Sequence, residues 1–183
     1  YDYIIDGRNS GQTTGTWSLG YGYAGGNGRL EFASGSSTLL ECSASLNPES
    51  KKWTHIAITR SGTSLRMFID GVLATSATNS TNFSTEPTIS YIGTRYSQQH
   101  FWDGFISNLR VIKGTALYTS DFTPPSAPLT NVTNTKLLCC QSNSSAVNYA
   151  VSPGTITANG GAAANTFNPF NTDINTVRGQ ETG

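Results

Sequence analysis

Charge is scarce in this sequence: Asp, Glu, Lys and Arg make up 12% of 183 residues, and 11 basic side chains balance 11 acidic ones. Without a basic excess there is no field to draw in nucleic acid or anionic lipid, so no nucleic-acid partner is expected. No apolar run approaches the roughly 20 residues of a membrane helix. No basic-then-apolar leader opens the chain either, and no membrane insertion is expected. Histidine and cysteine are equally sparse. There is no CxxC, and His55 and His100 stand far apart, which removes the spacing of a structural zinc site. Cys42, Cys139 and Cys140 are three, an odd number. A bridge between the adjacent pair would be strained. One of that pair can join Cys42, but buried or partly buried thiols are the expectation.

Against these absences stand 19 glycines with abundant Ser, Thr and Asn, and a hydrophobic content of 36% with 10% aromatics. The first set alone would suit a disordered tract, whereas the second supports a packed core, and turn-rich β structure accommodates both. The length suits one core. The sequence begins at Tyr1 rather than Met, directly in an alternating run, so residues upstream of it are expected to have been removed, processed or left out.

Tyr1, Tyr3 and Ile5 alternate with Asp2, Ile4 and Asp6 up to an Asp6-Gly7 turn. In the next run Trp17, Leu19, Tyr21 and Tyr23 share one parity with Ser18, Gly20 and Gly22 between them, giving an aromatic face and an almost bare one. The aromatic row can stack sugar rings, but inward packing is expected because buried aromatics dominate sandwich cores. Gly25-Gly26-Asn27-Gly28 is followed by neither Lys-Ser/Thr nor a helix pattern and reads as a turn, not a phosphate loop. A hairpin of Arg29 to Ala33 and Thr38 to Ser43 around Gly35-Ser36-Ser37 comes next. Trp53 to Arg60, Leu65 to Ile69 and the run from Val72 form a three-strand meander, with Asp70-Gly71 a two-residue turn in which both residues take φ > 0. Thr88 to Gly93 is a further short strand. Between Ile106 and Leu109 the apolar parity slips, implying a bulge near Ser107-Asn108. Gly114 to Ser120 reads as a helical turn, Thr123 to Pro128 cannot lie inside a sheet, and Thr135 to Cys140 is the last strong strand. Residues 141–183, with Gly154 to Ala158 the only strand-like piece, read as an extended arm or linker.

Three separated motifs carry a resemblance: WTHIAITRSGTSLRMFIDGVLA (53–74), YIGTR (91–95), and FWDGFISNLRVIKG with ALYTSDFTPP (101–125). Over about residues 1–140 they resemble the laminin-G-like branch of the concanavalin A-like lectin/glucanase fold. TKLLCCQSNSS (135–145), SPGTITANG (152–160) and FNPFNTDINTVRGQETG (167–183) resemble segments that trail such modules in virion proteins of tailed phages, notably those of marine cyanobacteria. The resemblance implies an all-β fold, an antiparallel jelly-roll β-sandwich over 1–140 followed by the arm 141–183. It also implies one or two strands upstream of Tyr1, so the first sheet is expected to be completed by residues preceding Tyr1 or by a neighbouring chain that adds a strand.

The glucanase relatives carry Glu-x-Asp-x-Glu on one strand. No such triplet occurs here, and Glu31, Glu41 and Glu49 are too widely spaced to imitate it. No catalytic residue is assigned, and the protein is expected not to be an enzyme. His55 resembles the family's recurrent structural histidine. Glycan binding has one candidate platform in Tyr96, His100, Phe101, Trp102 and Asp103, where aromatic faces meet a carboxylate acceptor on a loop. The same Trp102-Asp103-Gly104 matches the family's turn before its most recurrent strand, where these positions serve packing. Calcium, which some laminin-G relatives bind at the sandwich rim, has only Asp70 and Asp103 as candidates and no multi-Asp loop, so no cofactor is assigned. Low charge, missing first strands and a pliable arm favour a virion structural or appendage protein, in a fibre, a tail or a capsid decoration. It would be assembled in the host cytoplasm and carried on the extracellular particle. Its partners would be copies of itself or other virion proteins, through the arm and an N-terminal edge strand. The alternative is a glycan-binding adhesin module that recognises host cell-surface polysaccharide. The Asn-x-Ser/Thr sequences at Asn79, Asn82, Asn131 and Asn143 are chance occurrences in so Asn- and Ser-rich a chain.

Overall fold

A computed structural model describes residues 2–8, 10–22, 28–48, 51–83 and 89–170. The expectations that fall on Tyr1, Tyr23, Gly25-Gly26-Asn27, Glu49, Thr88 and residues 171–183 lie outside them. The described strands are β1 (Asp2–Asp6), β2 (Trp17–Gly22), β3 (Arg29–Ser34), β4 (Ser37–Glu41), β5 (Ile56–Ser61), β6 (Ser64–Ile69), β7 (Val72–Thr78), β8 (Tyr91–Ile92), β9 (Leu109–Ile112), β10 (Thr135–Cys139) and β11 (Tyr149–Val151). Every pairing of these strands is antiparallel, and a single 3-10 turn at Ala44–Leu46 is the only helical element among the described residues, which is the all-β architecture expected. The chain groups into two compact units, residues 1–104 with 116–124, and residues 105–115 with 125–183. The second unit therefore draws on both sides of the expected division at residue 140.

The first unit holds a five-stranded sheet in the order β4-β3-β2-β1-β8 and the meander β5-β6-β7. Between β2 and β3 the register runs unbroken from Trp17 opposite Ser34 to Gly22 opposite Arg29, so the parity seen in the sequence becomes two distinct faces. In β1 a bulge between Tyr3 and Ile5 breaks simple alternation. Ile5 opposes Leu19, while Tyr3 and Asp6 oppose Gly20 and Ser18 on the other face, where plain alternation would have put Tyr3 with Ile5. Ile5, Leu30, Phe32 and Leu40 are buried on the first of these faces, with Trp17 packed on Phe32 at 6.0 Å between ring centroids. Burying a side chain of that size contributes about 1.5–3 kcal/mol. The expected inward aromatic row is thus real, although Trp17, Leu19 and Tyr21 stay half-buried and the bare Ser18, Gly20 and Gly22 are the more covered.

In the meander, Leu65, Met67 and Phe68 are almost wholly buried. Asp70 and Gly71 take φ of 49° and 82°, as a two-residue turn demands. A Cβ at Gly71 would lie 1.9 Å from the Phe122 carbonyl oxygen, so the turn also needs glycine for close approach. The N-terminal strand is not the free edge that was expected. β8 pairs with Ile5 and Asp6, the Gly93 N–H donates to the Ile4 carbonyl at 2.9 Å, and the sheet's edges are β4 and β8. Residues 114–120 form no helical turn, and the Thr59 hydroxyl holds the Tyr118 carbonyl at 2.7 Å while the Tyr118 ring stacks on Phe122 at 3.6 Å.

The second unit holds the sheet β11-β10-β9. The expected bulge at Ser107-Asn108 is instead a left-handed residue placed just before β9: Asn108 has φ 55°, its N–H donates to the Cys140 carbonyl at 2.9 Å, and its Oδ1 accepts from Leu129 N and Gln141 Nε2, each at 2.8 Å. Residues 154–158 form no strand. The added strand is Tyr149–Val151, because the chain returns to pair with Leu138 and Cys139 before Ser152 turns it away. Farther along, the Phe167 ring meets Phe105 edge-on at 5.1 Å.

Candidate ligand-binding face

The second face of the five-stranded sheet is polar. β2 contributes Ser18, Gly20 and Gly22; β3 contributes Arg29, Glu31 and Ala33; Thr38 and Glu41 come from β4, and Tyr3 and Asp6 from β1. Three tiny side chains down the middle strand leave a trough of about 190 Å³ whose lining includes Tyr3, Arg8, Gln12, Glu31, Thr38 and Arg95. Gly20 is required by the backbone across it, and Gly22 leaves room for the Glu31 carboxylate. A Cβ at Gly22 would stand 1.7 Å from Glu31 Oε1, and one at Gly20 would stand 2.5 Å from the Asp2 carbonyl oxygen.

Glu31 is only 7% exposed. Its Oε2 accepts from the Thr38 hydroxyl at 3.1 Å, while Oε1 has no partner. Glu41, directly opposite in register, is held by Arg29 Nη1 at 2.8 Å. Burial pushes the Glu31 carboxyl above its ordinary range and the nearby Glu41 charge adds to this, against the Thr38 hydrogen bond and the Arg8 charge. An unsatisfied buried carboxylate oxygen costs about 1–3 kcal/mol, so its retention calls for a reason.

Arg8, in the lining, belongs to a buried ion pair. Arg8 donates from its backbone N and its Nε to Asp6 Oδ1 and from Nη2 to Oδ2, all at 2.9 Å, with Asp6 0% and Arg8 6% exposed. Asp6 Oδ2 also accepts the Tyr96 N–H at 3.2 Å. The Arg8 guanidinium lies 4.9 Å from the Tyr3 ring centre and 5.9 Å from that of Tyr96. Burial opposes the Arg8 charge, but hydrogen bonds involving Asp6 and Tyr3 outweigh it and hold the guanidinium firmly protonated. Arg95 completes the rim: Nη2 donates to the Tyr96 hydroxyl at 3.2 Å, and its Nε is buried without a partner. An orphaned acceptor and an orphaned donor thus line the same polar trough. That pairing fits a ligand carrying hydroxyls, which both donate and accept.

The five residues of the predicted platform do not act together. Tyr96 and His100 reach the polar face, Tyr96 through Asp6 and the His100 ring edge-on to Tyr3 at 6.5 Å. Trp102 lies on Tyr21 at 5.7 Å, and Tyr21 belongs to the opposite, core-facing row. The backbone N–H of Trp102 donates to the Gly93 carbonyl at 2.9 Å, which fixes the loop in that course. Phe101 is 65% exposed and Asp103 is exposed too. Asp70 accepts the His55 N–H at 2.8 Å and faces Lys52 Nζ at 3.5 Å, serving its hairpin. His55 is set edge-on to Tyr118 and Phe122. Among the described residues no cluster of three His, Cys, Asp or Glu that could hold a metal ion occurs. Sequence reasoning missed Glu31, Arg8, Thr38 and Arg95. The signal that could have found Glu31 was the hairpin register, which sets it across from the bare Gly20.

A laminin-G family model, described as the concanavalin A-like lectin/glucanases superfamily, matches residues 1–119. No curated protein and no solved structure matches the chain.

Proposed function

The chain belongs to the concanavalin A-like lectin/glucanases superfamily, and from that premise we propose that it is a non-catalytic module binding a neutral saccharide on the polar face of its five-stranded sheet. The observation that carries this reading is Glu31 Oε1, a buried acceptor left without a partner at the floor of a polar trough. Both atoms are covered in the free protein, so a sugar hydroxyl would donate to Glu31 Oε1, and a neighbouring hydroxyl or ring oxygen accept from Arg95 Nε, as the two side chains turn into the trough on binding. Hydrolysis of a glycosidic bond needs two working carboxylates. Glu41, the one in register with Glu31, is tied to Arg29, which leaves Glu31 to bind rather than to react. An adhesin of this kind fits the extracellular surface of a virion, where it would meet host polysaccharide; that setting rests only on the resemblance of residues 135–183 to segments of tailed-phage virion proteins.

A glycan array spanning neutral and charged saccharides tests the reading, followed by calorimetry of the best ligand with wild type, Glu31→Gln and Arg95→Ala. Glu31→Gln should weaken binding about tenfold or more, the effect of losing one charged hydrogen bond, and the saccharide should be recovered intact. An array without hits sinks the proposal, and a ligand bound equally well by Glu31→Gln moves the site elsewhere.

A further inference from the structure

We propose that Cys139 and Cys140 form a vicinal dithiol that closes reversibly to a disulfide when it meets a low-molecular-weight disulfide. Adjacent residues on a strand point to opposite faces, which should part the two thiols. β10, however, ends at Cys139, and Cys140 adopts φ 59°, in the left-handed region that residues other than glycine seldom enter. Its side chain is thereby turned back, and the two Sγ atoms lie 3.6 Å apart. The strained backbone is held by its neighbours. The Cys140 carbonyl accepts the Asn108 N–H at 2.9 Å, and Gln141 Nε2 donates to Asn108 Oδ1 at 2.8 Å and to the Leu129 carbonyl at 2.7 Å.

The two sulfurs are unequal. Cys139 is 1% exposed and Cys140 is half-buried. The contact between the two thiols draws the Cys140 thiol below its ordinary value against the opposing effect of burial; the same contact and burial push Cys139 up. Cys140 is therefore the thiolate that attacks. Its sulfur displaces one thiolate from the small disulfide and forms a mixed disulfide. Cys139 then attacks Cys140 Sγ, and its proton passes to the second thiolate as that leaves as a thiol. Two protein thiols are oxidised, and one small disulfide is reduced to two thiols. Adjacent Cα atoms joined by a trans peptide are about 3.8 Å apart, closer than the roughly 4.4–6.8 Å of an ordinary bridge. The product is strained, and a strained bridge is easily reduced again. Cys42 stays out of this chemistry, being 1% exposed with its thiol on Asn47 Oδ1 at 3.2 Å.

The test treats the full chain with oxidised glutathione, then alkylates under denaturing conditions and reads the intact mass. The expected product is lighter by two hydrogen atoms, carries one alkyl group, at Cys42, and reverts with excess reduced glutathione. C140S, at the more exposed of the two positions, should show no mass loss of this kind. Phenylarsine oxide, which needs two thiols side by side, should bind wild type once per chain and C140S not at all. A lasting glutathione adduct on Cys140, a disulfide-linked dimer, three free thiols after treatment, or arsenical capture by C140S would each overturn the proposal.

Discussion

The two faces of the five-stranded sheet are made by alternate residues of the same strands, yet they are stabilised in opposite ways. On the core face, Ile5, Leu30, Phe32 and Leu40 are buried by contact alone. Their contribution grows with the area withdrawn from water, about 25 cal/mol per Å², and deleting part of one costs in proportion to what is lost. On the polar face, Asp6, Arg8 and Glu31 are buried to a similar degree, but each is tolerable only through its partners. A face of the first kind makes a core. One of the second kind, with partners missing at Glu31 Oε1, Arg29 Nε and Arg95 Nε, is where we place the proposed ligand.

That contrast can be broken most sharply at Arg8. Arg8→Ala strands the fully buried Asp6 carboxylate and should cost about 3–5 kcal/mol, as seen when one member of a buried pair is removed; a loss below about 1 kcal/mol in chemical denaturation would show that the polar face is not held by its charges. Leu30→Ala, on the core face, should cost about 3 kcal/mol through a cavity and leave ligand affinity unchanged. Gly22→Ala should cost about 1 kcal/mol, the low end for overpacking, because the far end of the Glu31 side chain can move aside, and because it displaces that carboxylate it should also abolish binding. The smallest effect has the opposite sign. Folding holds the Glu31 carboxyl above its unfolded value, so the fold prefers the protonated form. This preference contributes fully in acid and is lost as pH rises through the folded value. Glu31→Gln imitates the protonated acid and should stabilise the protein by about 1 kcal/mol near neutral pH, with the gain vanishing toward acid; thermal melts across pH check this.

Much of the fold was legible because it follows from local chemistry. The parity of Trp17 to Gly22, the Asp70-Gly71 turn and the Gly35-Ser36 hairpin all depend on residues a few positions apart, and all three stand as read. What escaped depends on pairing across distance. The bulge that moves Tyr3 to the polar face, the cover that β8 gives β1, and the return of Tyr149–Val151 to β10 cannot be read from either strand by itself. The same holds for the site. Clustering in sequence pointed to Tyr96, His100, Phe101, Trp102 and Asp103, but successive residues of a loop face different ways, and the structure sends Trp102 to Tyr21 and Tyr96 to Asp6. Glu31, Thr38, Arg8 and Arg95 come from four separate segments, and only sheet register and the loop after β8 bring them to one trough.

Amide chemical-shift mapping with the best saccharide ligand tests the central claim most directly, since it locates the ligand without altering the protein. The account predicts that shifts concentrate at Ser18, Gly20, Gly22, Glu31, Thr38 and Arg95. Shifts confined to Phe101, Asp103 and their neighbours, with the amides of the polar face unmoved, would contradict it.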